Sequence, residues 1–348
     1  MTTYAMLLNP SHNRIYFESA KSLAGAELTA LLGICGISPD NFRTQRIAGI
    51  DYLLFDCAEK LGSVGLEALA RCSAFFCLFI YHSQEHLQPV EAQSIRIFDD
   101  GLNTILKYQG KTNELFTRLM VNLAASACDK PIDRPHILLD PLCGKGTTLF
   151  EGAIRGYNVI GIDTNADMIQ EIKTYFSAYL KRLRVHHDYS RESRSVDNRK
   201  VLEITHCDYA LEKADLKSGR GLRMTTASGD SLNSRLFIKN NLCDMLVADL
   251  PYGIQHASKT VAPTKNKVTA ITRDAATLVE RALPSWRKAM RKGAAVVLSF
   301  NELTTKKADL AAIFEANGIA VLEGEQYNGY FHRVDQAINR DLIVGRVL

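Results

Sequence analysis

No apolar run in this chain approaches the roughly 18 residues that a membrane-crossing helix needs. The closest, Ala74 to Tyr81, is short and β-prone and predicts a buried strand. Met1-Thr-Thr-Tyr-Ala5 lacks the basic-then-apolar pattern of a secretion signal. None of the eight cysteines (35, 57, 72, 77, 128, 143, 207, 243) forms a CxxC pair, and most sit among apolar residues. This excludes a disulfide or zinc framework and predicts reduced thiols in a cytoplasmic protein. There is neither an internal repeat nor a low-complexity tract. What is present is an ordinary globular composition, 46% hydrophobic and 23% charged, with core enough for two domains or one domain and an appendage. The net charge is only +4, but residues 181–223 hold eleven Lys/Arg against seven Asp/Glu, equal to the whole excess. Such an insert suits a polyanionic substrate or is a solvated helix and loop; charge alone does not choose.

The spacing divides the chain in three. Residues 1–100 predict a small ferredoxin-like α+β domain in the order β-α-β-β-α-β. Tyr4–Leu8 and Arg14–Phe17 are strand-like, Ala20–Leu32 is helical, Arg43–Ile47 and Tyr52–Cys57 are strands about Gly49, and Val64–Cys72 precedes strand Ala74–Tyr81. Pro89 to Gly101 reads as linker, and 101–135 contains a helix over Asn113–Cys128 with Leu115, Leu119 and Leu123 on one face. From 136 to 348, strands and helices alternate. Strands are predicted at 137–140, 157–162, 223–228, 244–249, 294–300, 319–325 and 340–347. Helices are predicted at 146–155, 167–183, 234–239, 274–291 and 305–316. This predicts an α/β fold with a doubly wound, mostly parallel Rossmann-like sheet and an antiparallel edge strand.

Two motifs carry the chemistry. The first is His136-Ile-Leu-Leu-Asp-Pro-Leu-Cys-Gly-Lys-Gly-Thr-Thr148. It is not a P-loop, because no glycine stands five residues before Gly144 and Lys145 is not followed by Ser or Thr. It is not a dinucleotide fingerprint either, since Leu149 replaces the third glycine. It does fit the methyltransferase pattern acid-Pro-x-Cys-Gly-x-Gly-Thr. S-Adenosylmethionine carries an ammonium, a carboxylate, a ribose diol and an adenine, but no phosphate. Asp140 suits the ammonium, backbone N–H groups around Leu142–Thr147 the carboxylate, Asp163 the ribose and Asp230 the adenine amine. Asp163 and Asp230 also suit helix caps. The candidate cofactor set is Asp140, Pro141, Cys143, Gly144, Gly146, Thr147, Asp163, Thr164, Asp230 and Ser231.

The second motif is Asp249-Leu-Pro-Tyr-Gly253. The lone pair of an exocyclic base amine is delocalised into the ring. Two acceptors on its N–H bonds, the Asp249 carboxylate and the Leu250 carbonyl, draw the nitrogen toward a tetrahedral shape and free that pair for attack. Pro251 fixes the turn, Tyr252 can stack on an extruded base, and Gly253 lets the chain turn away. As a bare turn, the same residues would need no chemistry.

Together these motifs resemble those of amino-methyltransferases acting on nucleic acids, most nearly the tRNA guanosine-N2 methyltransferases that carry a THUMP-type RNA-binding module. Residues Tyr108 to Ala124 look like that family's linker helix, and Leu23 to Leu32 like the early helix of its N-terminal domain. The resemblance implies S-adenosyl-L-methionine as cofactor, RNA and most naturally tRNA as substrate, and Asp249, Leu250, Pro251 and Tyr252 as catalytic residues. It adds Phe116 and Thr117 as cofactor contacts, implies no metal, and leaves room for an accessory protein subunit. The chain departs from the family in having Leu250 where proline is more frequent, and in having about a hundred residues ahead of the linker. Gln255, His256, Lys259, Lys265 and Lys267 are candidates to border the RNA path, with no chemistry given to His256. Arg14, Arg43 and Arg46 are candidates for an RNA-facing surface, and Tyr330–Arg333 for a hairpin near the site. The same acceptor chemistry serves adenine-N6 and cytosine-N4 DNA methyltransferases, and a non-catalytic RNA-binding factor can keep the fold; both alternatives stay open at this point.

Overall fold

The computed structural model describes residues 1–10, 14–104, 112–132, 134–252 and 275–348, without the side chains of 14–16. Its first unit comprises β1 (Thr2–Leu8), α1 (Arg14–Gly33), β2 (Asp40–Ile47), β3 (Ile50–Cys57), α2 (Ser63–Ala70), β4 (Phe75–Ser83) and β5 (His86–Val90). The antiparallel order β2-β3-β1-β4 is the ferredoxin-like arrangement expected. Two segments differ from expectation. Arg14–Phe17 opens α1 instead of forming a strand, and Pro89 lies in β5 opposite Phe79, not in a linker. An outermost strand tolerates proline because its missing N–H would face solvent.

The segment after β5 runs through α3 (Gly101–Thr104) to α4 (Glu114–Ala127). It is fastened to the second unit. The Phe98 ring packs on Phe176, Tyr179 and Tyr209, and buried Arg118 on α4 bonds Glu151 at 3.3 Å and also Asp100.

The second unit contains β6 (Ile137–Asp140), α5 (Thr147–Ile154), β7 (Asn158–Asp163), α6 (Ala166–Arg182), β8 (His186–Val196), β9 (Arg199–Ala210), α7 (Lys213–Lys217) and β10 (Leu222–Gly229). A 3-10 turn (Ser231–Leu236), β11 (Cys243–Asp249), α8 (Ala275–Ala289), β12 (Met290–Asn301), α9 (Lys307–Ala316), β13 (Ile319–Val321), α10 (Glu325–Asn328), β14 (His332–Arg333) and β15 (Asn339–Val347) follow. The sheet order is β13-β15-β12-β11-β6-β7-β10-β9-β8, with β14 on β15. Strands β12, β11, β6, β7 and β10 run parallel, while β15 runs against both β12 and the outermost β13. Successive side chains point to opposite faces, so the apolar runs feed two cores. Leu138, Val159 and Met245 join α4, α5 and α6, while Leu139, Ile160 and Leu246 join α8 and α9.

The basic insert differs from the solvated helix and loop allowed by its charge. Most of it is a long hairpin, β8 against β9, which extends the sheet antiparallel beyond β10. Its turn is Asp197-Asn198, both left-handed at φ 48° and 59°, the two-residue geometry that matches strand twist. Among the described residues no helix is long and apolar enough to cross a membrane.

Candidate active site

The ends of β6, β7, β10 and β11 bring the predicted acids to one edge of the sheet. Strands β6 and β11 are hydrogen-bonded neighbours, with Leu138 opposite Met245 and Leu139 opposite Leu246, so Asp140 and Asp249 close adjacent strands. On the other side Asp140 lies opposite Gly161 of β7, and Asp163 opposite Ser228 of β10.

The turn after β6 is a backbone cradle. Gly144 and Gly146 hold φ of 50° and 85°, a region other residues rarely adopt. The Gly144 N–H donates to Asp163 Oδ2 at 2.9 Å, and the Asn165 N–H donates to Asp163 Oδ1 at 2.8 Å. Asp163 therefore braces the cradle and does not cap α6; Asn165 does that. Asp230, by contrast, is exposed and caps the 3-10 turn through the Leu232 N–H at 2.9 Å. Thr164 is exposed beside Asp163, while Pro141, Thr147 and Ser231 are buried. Cys143 faces inward against Gly161, and burial pushes its thiol well up, so it contributes backbone and packing, not a nucleophile.

Asp140 is buried, and this desolvation pushes its carboxyl up to about 7, helped by the charges of Asp163 and Asp249. The Leu142 N–H and the Thr148 side chain bond it and partly offset that rise. A buried acid stabilised this little calls for a cationic partner. The carboxylates of Asp140, Asp163 and Asp230 and the glycine-turn backbone thus lie along one edge of the sheet, where the zwitterionic end, ribose and adenine of the expected cofactor call for such groups.

Asp249 is held from three sides. Thr112 Oγ1 donates to its Oδ2 at 2.7 Å, the Tyr252 hydroxyl donates to its Oδ1, and the Arg340 guanidinium lies 3.8 Å from Oδ2. Arg340 Nε also donates to the Tyr252 hydroxyl at 2.8 Å, and its plane stacks over Phe116 at 4.4 Å and Tyr252 at 5.2 Å. Burial and the Asp249 charge both push the Tyr252 phenol up, keeping it a donor. Tyr252 is thereby engaged with the strand ends instead of standing clear to stack on a base, because a half-buried carboxylate takes the nearest hydroxyl. Leu250 is buried with its N–H on Ser299 O at 2.9 Å, and Pro251 is exposed.

Phe116 and Thr117 are buried in α4; the Phe116 ring supports Arg340 and His332 rather than opening toward a ligand. Among the described residues of this region, Thr112, just ahead of the Asn113 cap, reaches the site. Tyr330–Arg333 does form part of a hairpin, with His332 opposite Arg340. Burial lowers the His332 imidazole, leaving it neutral. Thr112 and Arg340 were not singled out in the sequence, although a charged pair, Arg340-Asp341, opening a buried strand is itself a signal. Gly253, Gln255, His256, Lys259, Lys265, Lys267, Tyr108–Lys111 and the Arg14 side chain lie outside the described residues.

Residues 106–308 match the family described as RMKL-like, methyltransferase domain, which is over half of the sequence. The chain belongs to this family. Its cofactor is S-adenosyl-L-methionine, in keeping with the donor set above. No curated protein matches this methyltransferase. It is similar to solved structures at low identity. TrmN from Thermus thermophilus shares 13% identity with a TM-score of 0.40, over 88% of this chain and 59% of that one. TehB from Haemophilus influenzae shares 12% at 0.38, over 78% and 79%. The magnesium protoporphyrin IX methyltransferase of Synechocystis PCC 6803, solved with bound SAM, shares 12% at 0.36, over 69% and 87%.

Proposed function

We propose that this methyltransferase modifies an exocyclic base amine in RNA, with N2 of a guanosine in tRNA as its target. The observation that supports the reading is the pairing of β6 with β11, which sets Asp140 and Asp249 on neighbouring strand tips. When bound, the cofactor supplies an electrophilic methyl group. The residues of the chain do the rest. The target amine takes Asp249 Oδ1 in place of the Tyr252 hydroxyl, and the Leu250 carbonyl accepts its second N–H. Thr112 keeps Oδ2 aligned, and the Arg340 guanidinium stays beside the carboxylate when Tyr252 is released. Tyr252, turned outward, offers its ring to the extruded base. The proton released from the amine passes to Asp249 and on to water.

Incubation with labelled cofactor and either total tRNA or duplex DNA tests this, followed by mass spectrometry of the nucleosides. Label is expected in N2-methylguanosine from tRNA. Asp249→Ala should lower transfer by at least ~10²-fold while cofactor affinity is kept. Label in methylated adenine or cytosine of DNA alone would replace the reading, and full activity in the Asp249→Ala protein would remove its acceptor.

A further inference from the structure

The β8–β9 hairpin lies beside the site, and its register fixes how far it reaches. Gly229, the last residue of β10, lies opposite Leu202 of β9, which lies opposite Arg194 of β8. Residues 195–200 therefore project beyond the carboxyl edge of the sheet, on the side of Asp140, Asp163 and Asp230. The three residues from Leu202 to Arg199 amount to an overhang of about 10 Å. Arg194 anchors the arm, donating from Nε to the Leu236 carbonyl at 3.1 Å and pairing with Glu192 at 3.0 Å.

The end of the arm is basic. Arg194, Arg199 and Lys200 stand there against Asp197, with Arg191, Glu192 and Glu203 set back along the two strands. Lys200 is paired with Glu203 on the exposed side of the arm, and among the described residues Arg199 is exposed and held in no ion pair. Packing does not account for the tip, where Val196 is 41% exposed. The cofactor has no phosphate for these cations to meet. Four strand spacings separate β11 from β9, so the tip stands about 20 Å from Asp249, a span of several nucleotides.

We propose that the tip of this hairpin grips the sugar–phosphate backbone of the RNA whose base is methylated at the neighbouring strand tips. The inference rests on the RNA reading above. It predicts where the backbone runs: from Asp249 across the ends of β6, β7 and β10 to Arg199, over the exposed Asp230 side of the cofactor site.

Direct tRNA binding, measured across a salt series, tests the arm without depending on turnover. R199A/K200A is compared with K213A/K217A, which removes the same charge from α7 at the opposite edge of the sheet. The tip variant is expected to bind tRNA roughly tenfold more weakly near physiological salt. Its slope of log K against log salt should fall by about 1–2, while affinity for S-adenosylmethionine is unchanged. The α7 variant should bind tRNA like the parent protein. Equal affinities in all three proteins, or equal losses in both variants, would overturn the arm. A parent protein that binds tRNA through the tip yet methylates no RNA would sink the proposed function and leave the arm standing.

Discussion

Asp140 serves two opposed demands. Burial in the unliganded protein raises its carboxyl to about 7, well above the 3.8 of a free aspartate, so the folded chain holds a proton that the unfolded chain releases. That proton's contribution to stability is complete below about pH 4 and is lost as pH rises through about 7. With Asp140 in its proposed role as the ammonium partner, cofactor binding has the opposite sign, because an ammonium needs the ionised acid. Affinity for S-adenosylmethionine should therefore weaken by up to tenfold per pH unit below about 7 and level off above it. Asp140→Asn should flatten this profile, bind poorly at every pH, and melt a few degrees higher than the parent protein at pH 8. Calorimetric titrations at several pH values with thermal melts check both arms; a pH-independent affinity in the parent protein contradicts the assignment. The acids were legible because each closes a predicted strand. Thr112 and Arg340 were not, because they reach Asp249 from sequence positions 137 and 91 residues away, and only folding brings them there.

Elements with a clear period were readable, and those whose pattern serves two environments were not. Strands β6 and β11 read as buried because both faces are covered. The β8–β9 hairpin escaped because β8 is almost wholly polar and its turn, Asp197-Asn198, lacks the glycine that usually marks such a turn. Helix α4 was legible, but its start does more than the periodicity implied. Asn113 caps it through the Leu115 and Phe116 N–H groups at 2.9 and 3.2 Å, and so fixes where Thr112 stands relative to Asp249. Asn113→Ala should cost about 1 kcal/mol in urea unfolding. It should also lower turnover on RNA more than that loss of folded protein explains, with cofactor affinity retained. Unchanged turnover would show that Thr112 keeps its place without the cap.

At the scale of the molecule, the two units share one apolar core. Residues of β1, α1 and β3 lie in the same cluster as those of α4, α5 and α6. A buried polar lock reinforces it. Glu27 of α1 accepts from Ser73 N–H at 2.9 Å, Ser73 Oγ at 2.6 Å and Asn122 Nδ2 of α4 at 2.5 Å, and Asn122 also donates to Arg71 O at 2.7 Å. Burial pushes the Glu27 carboxyl up in spite of these donors. Scanning calorimetry should show one cooperative transition for the whole chain, and Asn122→Ala should cost ~1–3 kcal/mol. An N-terminal unit melting on its own in the parent protein would refute the shared core. Only the order of elements within each unit could be read from the sequence; that α1 and α4 meet through Glu27 and Asn122 is a pairing across 95 residues.

The lock makes the molecule a caliper. With Glu27 and Asn122 clamped, whatever the five-stranded sheet touches stays at a constant distance from Asp249, and under the proposed function an RNA of the wrong geometry cannot be accommodated by hinging one jaw. Choice of nucleotide would then be a measurement of length, set by folding once and not adjusted at each encounter.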